Sequence, residues 1–353
     1  MKKKNLLFSS ATTALAIFIS LTIAIAIIFL VSDNPGKAVF SLLLGPLQSK
    51  RLIGSVVTTA IPICFTGLAV CIMFQASMFN MCAEGSFFLG AIATAAVATR
   101  IQLPGILGLI VPILAGGVTG ALLCLVPALL KAKLNASEMV ASLMLNYVAL
   151  YLGLFSLNSF LRDQSFGALA TDKLPEVSKL NKIIRGTSVH SGVFIAVLFI
   201  VLCYLLVFKT KLGEQIRIYG QNPVFAKYTG MKVGSVIIIS QLLGGMIAGI
   251  GGSVELMGMY DRFQWTSLPG YGWNGIILAI LARNKPQYVP LAALFFAYLT
   301  VGASTMASNT DIPKELITVI QAIMIMLVSA DALLKGIKQK QIIKEALANE
   351  NAS

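Results

Sequence analysis

Long apolar runs, separated by short polar segments, make up most of the chain. A helix that crosses a bilayer needs about 20 apolar residues, and most of these runs reach that length. Residues 52–99 contain a single charge, Glu84. As one helix this stretch would be roughly 70 Å long, more than twice the thickness of the hydrocarbon core. We therefore expect the chain to turn back within residues 75–80 and to form two helices there.

The pattern predicts an all-α, polytopic membrane protein of about ten transmembrane helices, in a single transmembrane domain over residues 1–353. Besides the two helices in 52–99, the predicted spans are residues 5–32, 101–130, 139–161, 191–208, 233–256, 263–282, 288–308 and 315–334. The 263–282 segment contains Pro269 and Gly270, so we expect a broken or re-entrant helix. Asn135 is expected to cap the helix that follows it, with the Glu138 carboxylate three positions on.

Composition agrees with a membrane protein. The chain is 57% hydrophobic and 12% charged, whereas a soluble domain carries about 25% charged residues. The net charge of +13 could indicate nucleic acid. However, the basic residues lie at the ends of apolar runs, where they set topology and contact anionic membrane lipid. We therefore predict no nucleic-acid partner. The five cysteines lie in apolar runs without CxxC spacing, so no disulfide or metal site is predicted.

The basic residues also predict the orientation, because cytoplasmic loops are enriched in Lys and Arg. With ten spans and a cytoplasmic start, the inner segments hold 16 of the 27 basic residues. Both termini are then inside, together with the basic tail 335–353 and the polar segment 209–232. The polar loop 162–190 is then outside.

The ordered part of that inner segment, residues 213–230, is longer than a connection between two spans requires. Ile216, Tyr219 and Phe225 are predicted as its apolar anchors, and its glycines permit tight turns. An amphipathic helix of this kind can lie in a groove of a partner protein or on the membrane surface. Periodicity alone does not separate these two interpretations.

Four stretches carry a recognisable pattern of glycine, asparagine and acidic residues. They read Phe79-Asn80-x3-Glu84-Gly85-x4-Gly90, Glu138-x5-Met144-Leu145-Asn146-Tyr147, Gly213-x3-Arg217-x2-Gly220-x-Asn222-x3-Ala226-x3-Gly230 and Gly270-Tyr271-Gly272-x2-Gly275-Ile276. Together they resemble the permease subunits of ABC importers of the ribose and nucleoside type, over residues 61–302. The polar loop, with Leu174 and Pro175, is more similar to the bacterial nucleoside permeases. The chain departs from the family's pattern at Cys82, Ser86, Ile218, Phe225, Asn274 and Ala282.

The resemblance implies a permease subunit in a bacterial plasma (inner) membrane, which takes up nucleosides delivered by an extracytoplasmic binding lipoprotein. A separate cytosolic ATPase would use ATP and Mg²⁺, and this chain would bind no cofactor and catalyse no reaction. No Gly-x4-Gly-Lys-Ser/Thr phosphate loop occurs in the sequence, which agrees with that division. A second copy of the permease, or a paralogue, would complete the pore. The residues implied for coupling to the ATPase are Gly213, Arg217, Gly220, Asn222, Ala226 and Gly230.

Five residues are candidates for the substrate path: Asn80, Glu84, Asn146, Trp273 and Asn274. A carboxylate inside a bilayer needs a partner or water, so Glu84 could instead tie its helix to Asn80 or to a neighbouring helix. Asn146 could equally form an interhelical hydrogen bond, and Trp273 could belong to the aromatic belt at the membrane surface. Glu255 is expected at the outer edge of its helix.

Alternative functions remain open at this point. A simple-sugar importer of the ribose or galactose type would use the same fold. A secondary transporter would need several buried carboxylates, and only Glu84 lies deep in a predicted span. A membrane enzyme would need clustered His, Asp, Glu or Cys residues, which the sequence does not show. Small residues four apart in 116–120 and 244–252 predict close packing between helices.

Overall fold

A computed structural model describes residues 22–23, 25–30, 32–101, 103–310 and 318–319. The chain divides into two compact units, one made of residues 1–48 and 298–353 and the other of residues 49–297. The predicted first span lies largely outside the described residues, and the tenth span and the basic tail lie almost wholly outside them. The count of ten spans, the position of the termini and the single domain therefore stay predictions.

The described part of the chain is all-α. The α-helices that can be bounded within it are α1 (Pro35–Leu43), α2 (Lys50–Gln75), α3 (Ala83–Arg100), α4 (Leu107–Leu134), α5 (Glu138–Ser156), α6 (Gly192–Lys209), α7 (Lys211–Gln221), α8 (Pro223–Tyr228), α9 (Val233–Met259), α10 (Tyr271–Leu281) and α11 (Val289–Asn309). A π-helical turn, Leu157–Leu161, continues α5. Short 3-10 turns occupy Gly45–Leu47, Glu176–Ser178 and Pro286–Tyr288.

Six helices in the described residues are long and apolar enough to cross a membrane. They are Lys50–Gln75, Leu107–Leu134, Glu138–Leu161, Gly192–Lys209, Val233–Met259 and Pro286–Asn309. A multi-pass membrane protein follows from this set. Helix α10 has only 11 residues and is roughly 16 Å long, about half of the hydrocarbon thickness. The prediction that the 263–282 segment contains a broken helix is therefore confirmed.

The turn predicted within residues 75–80 is also confirmed, because α2 ends at Gln75 and α3 begins at Ala83. The predicted cap of α5 is wrong. Asn135 adopts a left-handed conformation, with φ of +51°, and ends α4 instead. Asparagine tolerates this conformation well, so α4 can end there. Ser137, two residues later, is extended and precedes α5. The Ser137 hydroxyl accepts from the Val140 N–H at 3.5 Å and caps α5.

Helix α9 lies at the centre of unit 49–297, against α2, α3 and α4. Glycines make this close packing possible. A Cβ atom at Gly90 of α3 would lie 2.6 Å from the Cα atom of Gly249, and one at Gly120 of α4 would lie 3.0 Å from the same atom. The prediction that the 116–120 and 244–252 glycines form close-packing faces is thus confirmed.

The other unit contains α1 and the end of α11. Ile28, Ala38 and Leu42 form a small buried cluster with Ala303 and Met306. The Tyr298 hydroxyl donates to the Leu43 carbonyl at the end of α1. These contacts lie within this unit.

Candidate functional site

The 213–230 segment folds into two helices, α7 and α8, that meet at Asn222. The Thr210 hydroxyl accepts from the Gly213 N–H at 3.1 Å and caps α7. The Asn222 side chain accepts from the Phe225 N–H at 3.0 Å and caps α8. Asn222 is extended, with φ of −151°, so it breaks one helix and begins the next.

Helices α7 and α8 carry both buried and exposed apolar side chains. Ile216, Tyr219 and Ala226 are buried, and they pack in a cluster with Ala76, Met78, Val236 and Ile237 of this same chain. The anchors predicted at Ile216 and Tyr219 therefore hold the segment to its own protein. Phe225, predicted as a third apolar anchor, lies outside this buried cluster, although its neighbour Ala226 belongs to it. Phe225 is 54% exposed and Tyr228 is 86% exposed.

The glycines of the segment fit it closely against two long helices. A Cβ atom at Gly220 would collide with the Gln75 carbonyl oxygen at the end of α2, and the Ser77 hydroxyl donates to the Gly220 carbonyl at 2.5 Å. Gly213 lies against the Leu206 and Val207 carbonyls of α6. A shift of the segment therefore has to displace the ends of α2 and α6.

The remaining residues predicted for coupling lie at the edges of this arrangement. The Arg217 guanidinium carbon is 5.3 Å from the centre of the Phe208 ring, a cation–π contact with α6. Gly230 has φ of +78°, a left-handed conformation that glycine adopts without strain.

Glu84 lies at the start of α3, and its side chain is buried. Its carboxylate accepts from the Gly270 N–H at 2.6 Å and from the Gly272 N–H at 2.5 Å. These N–H groups belong to the beginning of α10, where a helix favours a negative charge. The carboxylate therefore fastens the short helix α10 to α3.

The predicted path residues Asn80 and Asn146 lie beside this junction. Asn146 accepts from the Gly85 N–H and donates to the Met81 carbonyl, both at 3.0 Å. The Asn80 side-chain oxygen accepts from the Cys82 N–H at 2.7 Å. The structure thus places Asn80, Glu84 and Asn146 together around the start of α3, in bonds that fix the backbone there.

The other two predicted path residues follow on α10. Trp273 is 45% exposed, whereas Asn274 is half-buried. Both lie in the first turn of this helix, next to the Gly272 N–H that donates to Glu84. The five predicted residues therefore share one region of unit 49–297.

The loop 162–190 packs against residues 260–270, and we call these two stretches together the loop cap. Backbone bonds join them, from the Thr171 N–H to the Phe263 carbonyl at 3.0 Å and from the Leu174 N–H to the Asp261 carbonyl at 2.8 Å. The Lys179 amino group lies 2.8 Å from the Asp261 carboxylate. Its hydrogen bond holds the pKa of Asp261 below the ordinary value.

A second ion pair joins the same two stretches. The Arg262 guanidinium lies 3.1 Å from the Asp163 carboxylate and 4.0 Å from the centre of the Phe166 ring. The pKa of Asp163 is lowered, mainly by hydrogen bonds from Ser165 and to a lesser degree by Arg262.

A carboxylate among aromatic rings was missed by the sequence analysis. Glu255 lies four residues before the end of α9, in agreement with the expected position near the end of its helix, but its side chain is buried and only 4% exposed. The Tyr271 hydroxyl donates to Glu255 Oε1 at 3.3 Å. Glu255 lies three and four residues after Gly252 and Gly251, on the helix face that packs closely. That spacing was the signal that could have shown the burial of Glu255.

The rings extend from Tyr271 into the loop cap. The Tyr271 and Phe87 ring centres are 5.1 Å apart, and Phe87 stacks on Trp265 at 5.8 Å. Trp265 also contacts Tyr260 at 5.5 Å and Phe263 at 5.2 Å. This aromatic cluster, Phe87, Tyr260, Phe263, Trp265 and Tyr271, uses Trp265 where the sequence analysis had selected Trp273.

Comparison with known families assigns the chain. Residues 52–329 match the model of the family described as "Branched-chain amino acid transport system / permease component". The chain belongs to this permease family. The matched stretch encloses the residues 61–302 over which the four motifs resemble such permeases.

Individual relatives of the permease are similar over most of their length. A glucose ABC transporter permease protein, TsgB13 of Haloferax volcanii, is 33% identical over 89% of this chain and 86% of its own. A nucleoside ABC transporter permease protein, NupB of Lactococcus lactis, is 29% identical over 84% of each chain. A guanosine ABC transporter permease protein, NupP of Bacillus subtilis, is 28% identical over 82% of this chain and 84% of its own.

The permease is the membrane subunit of an ABC importer, and ATP hydrolysis belongs to a separate subunit. The family resemblance drawn from the four motifs is therefore confirmed. The structure adds what three of the motifs do locally. The first and last motifs meet where Glu84 binds Gly270 and Gly272, and the second joins them through Asn146.

Proposed function

We propose that this permease takes up nucleosides in the plasma membrane of a bacterium. Several relatives support this substrate, since the proteins named NupB, NupC, NupP and NupQ are nucleoside or guanosine permeases. An extracytoplasmic binding lipoprotein delivers the nucleoside to the loop cap. A second copy of the permease, or a paralogue, completes the path.

The observation that carries the coupling mechanism is the exposed apolar face of α8. Val224, Phe225 and Tyr228 are all more than half exposed on a helix of six residues. Exposed aromatic residues of this kind are typical anchors of protein interfaces. We infer that the ATPase, which binds ATP and Mg²⁺ itself, docks on this face.

The route from that face into the membrane follows from the packing. Gly220 lies against the end of α2, and Gly213 lies against α6. Ile216 and Ala226 pack with Val236 and Ile237 near the start of α9. Closure of the ATPase therefore moves three long helices through one rigid segment, and this movement opens the path alternately to each side. Arg217 and Asn222 keep the segment in shape.

A simple sugar is the second candidate substrate. It is favoured by the 33% identity to a glucose permease, which is higher than the 28% and 29% identities to the two nucleoside relatives described above. The fold serves both classes, because a ring-shaped polar solute needs the same kind of path.

Competition for uptake decides between the two. Cells that express the permease with its ATPase and binding protein are given radiolabelled guanosine, with unlabelled inosine, ribose, galactose, glucose or leucine in excess. We expect inosine to compete and the sugars and leucine to have no effect. Uptake of a labelled sugar that nucleosides do not inhibit would overturn the nucleoside proposal.

A further inference from the structure

One carboxylate oxygen of Glu255 is buried and unpaired in the part of the chain that the structure describes. Glu255 Oε1 accepts from the Tyr271 hydroxyl, whereas Oε2 has no hydrogen-bond partner among the described residues. A buried acceptor left without a partner costs free energy, and the cost is larger when the group is charged. Ionisable residues within membrane helices commonly serve a transported solute. The unused oxygen therefore identifies Glu255 as a position where a ligand would gain a hydrogen bond.

The two buried carboxylates of this region differ in this respect. Both oxygens of Glu84 accept backbone hydrogen bonds from the start of α10. Each Glu84 oxygen already accepts a hydrogen bond from α10, so Glu84 holds the two helices together. Glu255 has only the long bond from Tyr271, which a ligand can replace.

Aromatic rings lie next to the Glu255 carboxylate. Tyr271, which binds Glu255, contacts Phe87, and Phe87 stacks on Trp265. Tyr260, Trp265 and Tyr271 are half-buried, and the first two belong to the non-helical stretch between α9 and α10. Such a stretch can move without breaking a helix. Aromatic faces of this kind stack on nucleobases.

We propose that Glu255, with Trp265 and Tyr271, recognises the base of a purine nucleoside in the path. The inference rests on the proposed function. In its ionised form, which two donors of a bound base would favour, the carboxylate only accepts hydrogen bonds, so it pairs with a base that presents donors side by side. Guanine presents N1–H and N2–H₂ on one edge, whereas adenine presents one donor beside an acceptor. Glu255 therefore favours guanosine over adenosine. The rings of Trp265 and Tyr271 hold either base by stacking.

The substitution Glu255→Gln tests this assignment in the complete importer. An amide offers a donor beside an acceptor, which is the pattern that matches adenine. Initial rates of uptake are measured for radiolabelled guanosine and adenosine, with the amount of permease in the membrane determined by immunoblot. We expect the ratio of guanosine to adenosine uptake to fall about tenfold or more, because a bidentate base contact discriminates by that order.

Glu84→Gln is the matched control, since it makes the same chemical change at the other buried carboxylate. A loosened fastening between helices lowers uptake of both nucleosides by the same factor, so the ratio stays that of the wild type. If Glu255→Gln permease is missing from the membrane, Glu255→Asp replaces it. Aspartate is one methylene shorter, so its carboxylate lies farther from the base. We expect guanosine uptake to fall more than adenosine uptake.

Each outcome has a defined meaning. An unchanged ratio in whichever Glu255 variant reaches the membrane overturns the assignment and leaves the nucleoside function standing. Absence of uptake of either nucleoside by the wild-type importer overturns both proposals. A fall in the ratio at Glu255 without a fall at Glu84 supports the contact with the base.

Discussion

At the scale of single residues, hydrogen-bond partners separate structural polar groups from free ones. Asn146 uses both its oxygen and its nitrogen, so it fixes the start of α3. Glu255 Oε2 and His190 Nε2 are buried without a partner in the described residues. The sequence shows that such residues are in or near spans, but it does not show which atoms are satisfied, because the partners come from distant parts of the chain.

His190 should make the stability of the permease depend on pH. Its ring is buried beside Gly258, its Nδ1 accepts from the Gly192 N–H at 3.2 Å, and burial lowers its pKa from 6.5 to about 4. Between these values the unfolded chain binds a proton that the folded protein does not. The free energy of unfolding is therefore highest above pH 6.5 and falls as the pH falls towards 4. Thermal unfolding of the detergent-solubilised permease, measured from pH 7.5 to 4.5, checks this.

His190→Gln is the control for that measurement. The variant lacks the titrating ring, so its unfolding temperature should change less over this range than that of the wild type. The loop-cap carboxylates Asp163 and Asp261 stay ionised there, because their pKa values are lowered. Equal pH dependence of the two proteins would contradict the assignment to His190.

At the scale of elements, the sequence predicts which faces are apolar but not what covers them. Periodicity selected Ile216 and Tyr219 as apolar anchors for a partner or the membrane surface, whereas the structure shows that they pack on Met78 and Val236 of their own chain. The cap at Asn222 makes two helices, and α8 buries Ala226 but leaves Phe225 and Tyr228 exposed for a partner.

Loss of that face should uncouple the importer. We expect Phe225→Ser with Tyr228→Ser to lower nucleoside uptake about tenfold or more, since an interface anchor contributes about 2 kcal/mol or more. Both side chains are exposed, so the permease should still insert in normal amounts. The measurements are uptake and the amount of ATPase that copurifies with a tagged permease.

Two further variants define the interpretation. Gln215→Ser changes an exposed polar residue of α7 and should leave uptake and copurification unchanged. Ile216→Ser alters a fully buried anchor and should instead lower the amount of folded permease. Normal uptake and copurification in the Phe225 and Tyr228 variant would contradict docking on α8.

At the scale of the whole molecule, the lengths of the apolar runs predicted the all-α membrane fold, and the four motifs predicted the family. The turn after Gln75 followed from length alone, because no single helix of 48 residues fits a bilayer. The bond from Glu84 to Gly270 joins residues 186 positions apart, and no local pattern predicts such a pair. The contact of Trp265 with Phe87 is hidden in the sequence for the same reason, because the ring cluster forms only when distant segments meet.

The orientation of the permease can be tested with two engineered cysteines. Gly167 lies in the loop cap with open space around it, and Gln221 is exposed at the end of α7. Between them the chain contains one helix long enough to cross the membrane, α6, so the two positions belong on opposite sides. The excess of basic residues in the inner segments places Gln221 in the cytoplasm.

We therefore expect a membrane-impermeant maleimide to label Gly167→Cys in intact cells, and to label Gln221→Cys only after the cells are permeabilised. All five native cysteines are buried, which keeps the background low. The reverse pattern would contradict the orientation, and labelling of both variants in intact cells would contradict α6 as a span.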